Sequence, residues 1–242
     1  MSGKDYPEAY LNGFQDFYYE RYRVIEGVLI PRPDTELLVE AALMLCGALD
    51  SGVGDVLKVK PQIASREIAI ADLCTGTGCV GISSANALIR SGRSCSLTLV
   101  DVSDAAIKCC TENLSVCKAQ ARVIKADILR EIPSSGRFDI IMSNPPYITD
   151  EEMDELPLSV RYEPELALRG GSDGLVFYHR LCQLGKELLN PGGALAVEHG
   201  YLQQDQVMDI FRQNGYSDVT GLKDFGGNPR VVTGIYRGEG NA

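Results

Sequence analysis

From residue 68 onward, short apolar runs ending in polar or glycine turns alternate with longer stretches whose apolar residues recur at helical spacing. Ile68-Ala69-Ile70-Ala71-Asp72-Leu73 and Leu97-Thr98-Leu99-Val100-Asp101 read as buried strands, as do residues 121–126 and 138–143. Between them, Val80, Ile82, Ala85 and Leu88 mark one helix, and residues 105–118 form a second. The second half predicts a helix over 174–189, a Pro191-Gly192-Gly193 turn and a strand over 194–198. A helix near 203–214 follows, then strands near 218–222 and 231–236. Strands alternating with helices require parallel pairing, and the last two strands suit an antiparallel hairpin. The pattern predicts an α/β, Rossmann-like fold with a seven-stranded, mostly parallel sheet and a C-terminal antiparallel hairpin.

The front of the chain is patterned differently. Residues 10–30 carry Phe14, Phe17, Tyr18, Tyr19 and Tyr22, with Arg21 and Arg23 among them. Alternation over 18–24 and again over 28–30 predicts a short β-hairpin turning at Glu26-Gly27. Aromatics interleaved with arginine can also stack on nucleic acid, but a hairpin packed on the domain explains them better. Pro31-Arg32-Pro33-Asp34-Thr35-Glu36 opens a helix, with Asp34 or Thr35 as the expected cap and Leu37, Leu38, Ala41, Ala42 and Leu45 as its apolar face. Arg32, held between prolines beside a helix start, is either a ligand contact or a surface guanidinium. Residues 47–67 read as a loop, and 149–171 as a long acidic connection of the kind that forms lids and binding loops. The organisation expected is a hairpin and linker segment over 1–33 and a main domain over 34–242.

Composition narrows the function. The chain has 242 residues, is 45% hydrophobic and carries a formal net charge of −10, which argues against binding duplex nucleic acid through its phosphates. No apolar run reaches membrane-spanning length, and no signal-like segment follows Met1. A soluble, cytoplasmic protein is expected. The eight cysteines form no C-x-x-C pair, and the only histidines, His179 and His199, lie far from most of them. They read as reduced core thiols rather than metal ligands, so no metal is expected.

The candidate chemistry sits where predicted strands end. The first runs into Cys74-Thr75-Gly76-Thr77-Gly78, whose glycines allow a tight turn and close approach of a ligand at a helix start. The second ends in Asp101, about two dozen residues after the glycines, where dinucleotide-type folds bond ribose hydroxyls. A third glycine and a G-K-[ST] are both missing, so a nucleoside site fits better than a pyrophosphate site. Asp127 and Ile128 follow the third strand, suited to an adenine amino group and ring, although Asp127 can equally cap the next turn. The fourth delivers Asn144-Pro145-Pro146-Tyr147. Two prolines stiffen that turn and donate no N–H, leaving carbonyls free for a ligand, while Asn144 adds an amide. Such a corner suits a planar group bearing an NH2. Glu198-His199-Gly200 is either an acid/base pair or a structural cluster at a strand end.

Several segments occur in an order seen in a known family. They are Leu29-Ile30-Pro31-Arg32-Pro33-Asp34-Thr35-Glu36, Asp72-Leu73-Cys74-Thr75-Gly76-Thr77-Gly78, Ser143-Asn144-Pro145-Pro146-Tyr147, Glu163-Pro164, Gly170-Gly171-Ser172-Asp173-Gly174-Leu175 and Glu198-His199-Gly200. Together they resemble the HemK/PrmC family of peptide-chain release-factor glutamine N5-methyltransferases over about residues 13–236. The resemblance implies a class I S-adenosylmethionine-dependent fold and methylation of the glutamine in a Gly-Gly-Gln loop of class-1 release factors, by a monomer without direct nucleic-acid contact. It assigns the cofactor to Cys74, Thr75, Gly76, Thr77, Gly78, Asp101, Asp127, Ile128 and Asn144. It assigns transfer to Asn144, Pro145, Pro146 and Tyr147, and substrate contact to these four and Arg32. The family's helical N-terminal domain is not recognisable here, and Cys74 stands where many methyltransferases have glycine. Competing expectations are glutamine methylation of a ribosomal protein, N6-adenine methylation of DNA or RNA, and a cofactor-binding module without turnover.

Overall fold

Strands apolar on both sides need helices on both sides, and the computed structural model supplies them. It describes residues 5–49, 62–64, 67–133 and 136–238. The sheet consists of β3 (Glu67–Leu73), β4 (Ser94–Asp101), β5 (Arg122–Lys125), β6 (Phe138–Ser143), β7 (Leu189–Glu198), β8 (Ser217–Lys223) and β9 (Pro229–Ile235), in the order β5-β4-β3-β6-β7-β9-β8. β3, β4, β5, β6 and β7 are parallel, and β9 runs antiparallel to both β7 and β8. The seven-stranded expectation holds, including its closing hairpin.

Alternation along each strand sorts side chains between two cores. Ile68, Ile70, Leu97, Leu99, Ile140 and Met142 point to the face covered by α2 (Glu36–Leu45), α3 (Cys79–Arg90) and α4 (Asp104–Val116). Ala71, Leu73, Val100, Ile141, Leu195 and Val197 point to α5 (Val176–Leu188) and α6 (Gln204–Gln213). The connections from β3 lead first to β4 and β5 on one side, then back to β6 on the other. Strand order therefore reverses between β3 and β6, which leaves a crevice beyond their carboxyl ends.

The hairpin exists but lies earlier than the sequence suggests. β1 (Phe14–Phe17) pairs with β2 (Glu20–Arg23), and the turn is Tyr18-Tyr19, both in the left-handed region at φ 44° and 64°. Burial decides the register. Phe17 and Tyr22 enter the main core, and the Tyr18 N–H donates to Glu36 Oε1 at 2.9 Å, which holds the strained turn. Val28-Leu29-Ile30 is not a strand; Tyr10 Oη donates to the Val28 carbonyl at 2.7 Å. A short helix α1 (Glu8–Asn12), absent from the sequence reading, precedes the hairpin. The helix after the Pro-Arg-Pro segment begins as a 3-10 turn, Pro33–Thr35, without the expected side-chain cap. Both candidate caps are engaged elsewhere, Asp34 with Arg230 at 3.1 Å and Thr35 with Asn144. Most of the loop expected over 47–67 lies outside the described residues. Pro191-Gly192-Gly193 is not a separate turn but falls within β7, which starts at Leu189.

One buried amide ties the hairpin to the sheet. Asn113 on α4 accepts from the Arg23 N–H at 2.7 Å and donates to the carbonyls of Arg23 (3.0 Å) and Thr77 (2.9 Å). Beside it the Tyr22 hydroxyl lies 2.6 Å from Ser83 Oγ and donates to Glu20 Oε2 at 2.7 Å. Tyr22→Phe is expected to cost about 1 kcal/mol and Tyr22→Ala about 3–5 kcal/mol, read from denaturant unfolding. Near-neutral effects would mean that the hairpin is a passive appendage.

Candidate functional site

The turn after β3 is built from unusual backbone. Cys74, Gly76 and Gly78 all have positive φ, at 60°, 55° and 83°. Glycine adopts this freely, and Cys74 does so at a cost of about 1–2 kcal/mol. The turn is closed by Thr75 N–H to the Val100 carbonyl (3.0 Å), Gly78 N–H to the Thr75 carbonyl (2.8 Å) and Gly76 N–H to Asp101 Oδ2 (2.9 Å). Asp72 anchors it from below, accepting from Thr75 Oγ1 at 2.6 Å and the Gly81 N–H at 3.0 Å. Burial pushes that carboxyl up to about 7.

A cavity opens above this turn, lined by Cys74, Thr75, Gly76, Thr77, Asp101, Asp127, Ile128, Asn144 and Pro146, with Arg32 at its edge. The strand-end residues singled out in the sequence thus converge, except Gly78, the cap before α3, and Pro145 and Tyr147, which are outside this lining. Asp101 accepts from the N–H groups of Gly76 and Ser103, both at 2.9 Å. Burial raises its pKa and those bonds oppose the rise. Asp127 does cap the following turn, accepting from the Leu129 N–H at 3.0 Å, and it also faces the cavity.

A second cavity lies across Asn144, lined by Asn144, Pro145, Tyr147, Leu29, Val160, Leu168 and Glu198. Asn144, Arg32, Leu29 and Ala167 border both spaces. Arg32 forms an ion pair with Glu163, a buried carboxylate that also accepts from the Ile30 N–H at 2.9 Å. It is a strut between the Pro-Arg-Pro segment and the 149–171 connection as well as a wall residue.

Gln203 escaped the sequence reading, and Gly170 and Gly174 stand there without a role. The proline turn is pressed from outside by glycines: a Cβ at Gly170 would sit 2.7 Å from Tyr147 Cα and 2.9 Å from the Pro146 carbonyl oxygen. A Cβ at Gly174 would collide with the Tyr147 carbonyl oxygen and with Gln203 Nε2. Gln203 Nε2 donates to that carbonyl at 3.0 Å, and the Gly170 N–H to the Ile148 carbonyl at 2.7 Å. Glycine pairs in a loop carry no mark of what they touch, so only the fold reveals this. Glu198 is 2% exposed; its Oε2 has no hydrogen-bond partner among the described residues, and burial pushes its pKa up to about 7. The visible signal is a carboxylate ending an otherwise apolar strand. His199 is buried, its Nδ1 lies 2.8 Å from the Gly200 carbonyl oxygen, burial lowers its pKa, and it lines neither cavity.

Comparison with known proteins places this architecture. A release factor glutamine methyltransferase from Clostridium botulinum is 37% identical over 231 residues, covering 93% of this chain and 74% of the relative. One from Salmonella typhimurium is 34% identical, covering 95% and 76%. The chain belongs to this family of methyltransferases. A model described as methyltransferase small domain matches residues 41–158. A 16S rRNA methyltransferase from T. thermophilus, solved with AdoMet and guanosine, is 17% identical with a TM-score of 0.59, covering 90% of this chain and 47% of that one. That likeness shows the class I methyltransferase fold. All eight cysteines are free, five of them buried. Among the described residues no helix is long and apolar enough to cross a membrane, and no three His, Cys, Asp or Glu side chains group to hold a metal ion.

Two outcomes test this geometry. Gly174→Ala, strained at φ +71° as well as obstructed, is expected to lower stability by about 2–4 kcal/mol in denaturant unfolding. Arg32→Met leaves Glu163 buried without its cation; with Arg32 partly solvent-screened, a loss of about 2–3 kcal/mol is expected in the same measurement.

Proposed function

We infer that this chain transfers a methyl group from S-adenosylmethionine to the side-chain amide nitrogen of a glutamine in the Gly-Gly-Gln loop of a class-1 peptide chain release factor. The observation that carries this reading is the place of Asn144 as the wall shared by two cavities. One is rimmed by strand-end polar groups and the other is largely apolar around a rigid amide corner. Family membership supplies the reaction.

The first cavity fits the cofactor on charge as well as shape. Asp72, Asp101 and Asp127 line it, and its cation, Arg32, is already paired with Glu163. That balance suits a sulfonium nucleoside and disfavours a pyrophosphate. The Thr75–Gly78 turn is assigned to the methionine and ribose portion, Asp101 to ribose hydroxyls, and Asp127 with Ile128 to adenine. When bound, S-adenosylmethionine supplies an electrophilic methyl group.

An amide nitrogen is a poor nucleophile because its lone pair is delocalised, so the chain's task is positioning. Asn144 Oδ1 and the Pro145 carbonyl are assigned to accept the two amide hydrogens, aligning nitrogen with the methyl group. Positioning of this kind has a ceiling of about 7–11 kcal/mol. The same oxygens offset the positive charge that develops on nitrogen, which afterwards loses one hydrogen as a proton to water. Tyr147, kept neutral by burial, packs against the amide plane, and Pro146 stiffens the frame. The 27–32 stretch of the 1–33 segment walls the first cavity beside residues 34–242, and its Leu29 and Arg32 wall the second as well. The acidic 149–171 connection and the net charge of −10 support a protein rather than a nucleic-acid substrate.

The test is a radiolabelled methyl-transfer assay offering release factor, ribosomal protein and DNA in parallel. Label in the release factor is expected, and label in DNA or the ribosomal protein instead would overturn the reading. Asn144→Ala is expected to hold cofactor affinity within about tenfold while turnover drops by about 10²–10³-fold. Parallel loss of both would contradict its assigned role.

A further inference from the structure

Glu198 lies one strand from the proline corner. It ends β7, whose Val197 pairs with Ser143 immediately before Asn144. Its carboxyl lines the second cavity beside Asn144, is almost fully buried, and leaves Oε2 without a hydrogen-bond partner among the described residues. Thr35, 3% exposed, reaches the same point from the start of α2 and accepts from Asn144 Nδ2 at 3.3 Å. The Thr35 and Asn144 side chains, with Arg230, pull the Glu198 pKa down against the burial that raises it. Charge around it is sparse. Arg230 on β9 faces it while paired to Asp34 at 3.1 Å and Asp224 at 3.4 Å, and Asp34 opposes it. The Tyr147 and Tyr178 phenols and the Cys79 thiol of α3, all raised by burial, are neutral neighbours.

An ionised carboxylate only accepts hydrogen bonds. Beside it, an asparagine must present its NH2, because the reverse flip would set oxygen against oxygen. We propose that Glu198, helped by Thr35, is a positioning residue that fixes the flip of the Asn144 amide, leaving Oδ1 for the substrate amide and making that oxygen a stronger acceptor. The strengthening follows because a hydrogen bond from Asn144 to a carboxylate polarises its amide, and in a buried site such chains reinforce one another. Neutral Glu198 carries an O–H that can donate to Asn144 Oδ1, taking the very acceptor the substrate requires. The inference rests on the glutamine-transfer reading of the site.

Burial that pushes the carboxyl to about 7 places its ionisation in an accessible range. Folded chain holds this proton more tightly than unfolded chain between pH 4.5 and about 7, so its contribution to stability falls as pH rises through that window and is constant above it. Activity runs the opposite way, since the charged form is the productive one. A role confined to packing predicts no such opposition.

The experiment uses the intact chain, unmodified release factor and S-adenosylmethionine, with kcat and both KM values measured from pH 5.5 to 9. Wild-type kcat is expected to fall on the acid side with a midpoint near 7. Glu198→Gln is expected to lose that limb and to lower kcat at pH 8 by roughly 10–100-fold, with both KM values within about threefold. Glu198→Asp should recover part of kcat and retain an acid limb. Thr35→Ser should stay within about threefold of wild type while Thr35→Val falls below it, a pair that decides the matter if Glu198→Gln does not fold. Wild-type kcat in Glu198→Gln, an unchanged acid limb, or equal activity of Thr35→Val and Thr35→Ser would overturn the proposal. Failure of wild-type chain to label release factor would instead overturn the underlying reading, before any variant is compared.

Discussion

A turn containing two prolines cannot be secured by its own N–H groups, so the Asn144-Pro145-Pro146-Tyr147 corner must be held by other parts of the chain. β6 brings it to the carboxyl end of the sheet, and the side chain of Ser143 donates to the Leu73 carbonyl at 2.7 Å, locking it to the strand that carries the glycine turn. On the far side, Gly170 and Gly174 come so close that only hydrogen fits between the two backbones. Gln203 and Thr35 then fix the Tyr147 carbonyl and the Asn144 amide. The stiffness that makes the corner useful for orienting a planar group thus comes from segments separated by more than a hundred residues in sequence.

Electrostatics follow the same division. Carboxylates gather at the strand ends while the arginines nearby are paired with other acids: Arg32 with Glu163, and Arg230 with Asp34 and Asp224. Two acids, Asp72 and Glu198, are kept near neutrality by burial, one beneath each cavity wall. For Asp72 the cost of burial is offset by bonds accepted from Thr75 Oγ1 and the Gly81 N–H.

Legibility in the sequence tracked the range of the interaction. Strand runs such as 138–143 and the helical spacing of Val80, Ile82, Ala85 and Leu88 state their burial locally, and parallel pairing follows from the alternation of strands with helices. Cys74, Asp101, Asp127 and Asn144 were visible because polar residues closing apolar strands are anomalous, and in an α/β sheet those ends converge. What could not be seen depended on distant partners. The hairpin turn fell at Tyr18-Tyr19 because Phe17 and Tyr22 had a core to enter, against the local glycine signal at Gly27. Asp34 and Thr35 look like helix caps but are claimed by Arg230 and Asn144. Gly170, Gly174 and Gln203 announce nothing until the corner they press on is in place.

Asn113 has a consequence that reaches past stability. One side-chain amide grips the hairpin at Arg23 and, with the same nitrogen, the Thr77 carbonyl in the wall of the first cavity. Displacing the front hairpin therefore tugs, through a single side chain, on the lining of a cavity that the hairpin strands themselves do not touch.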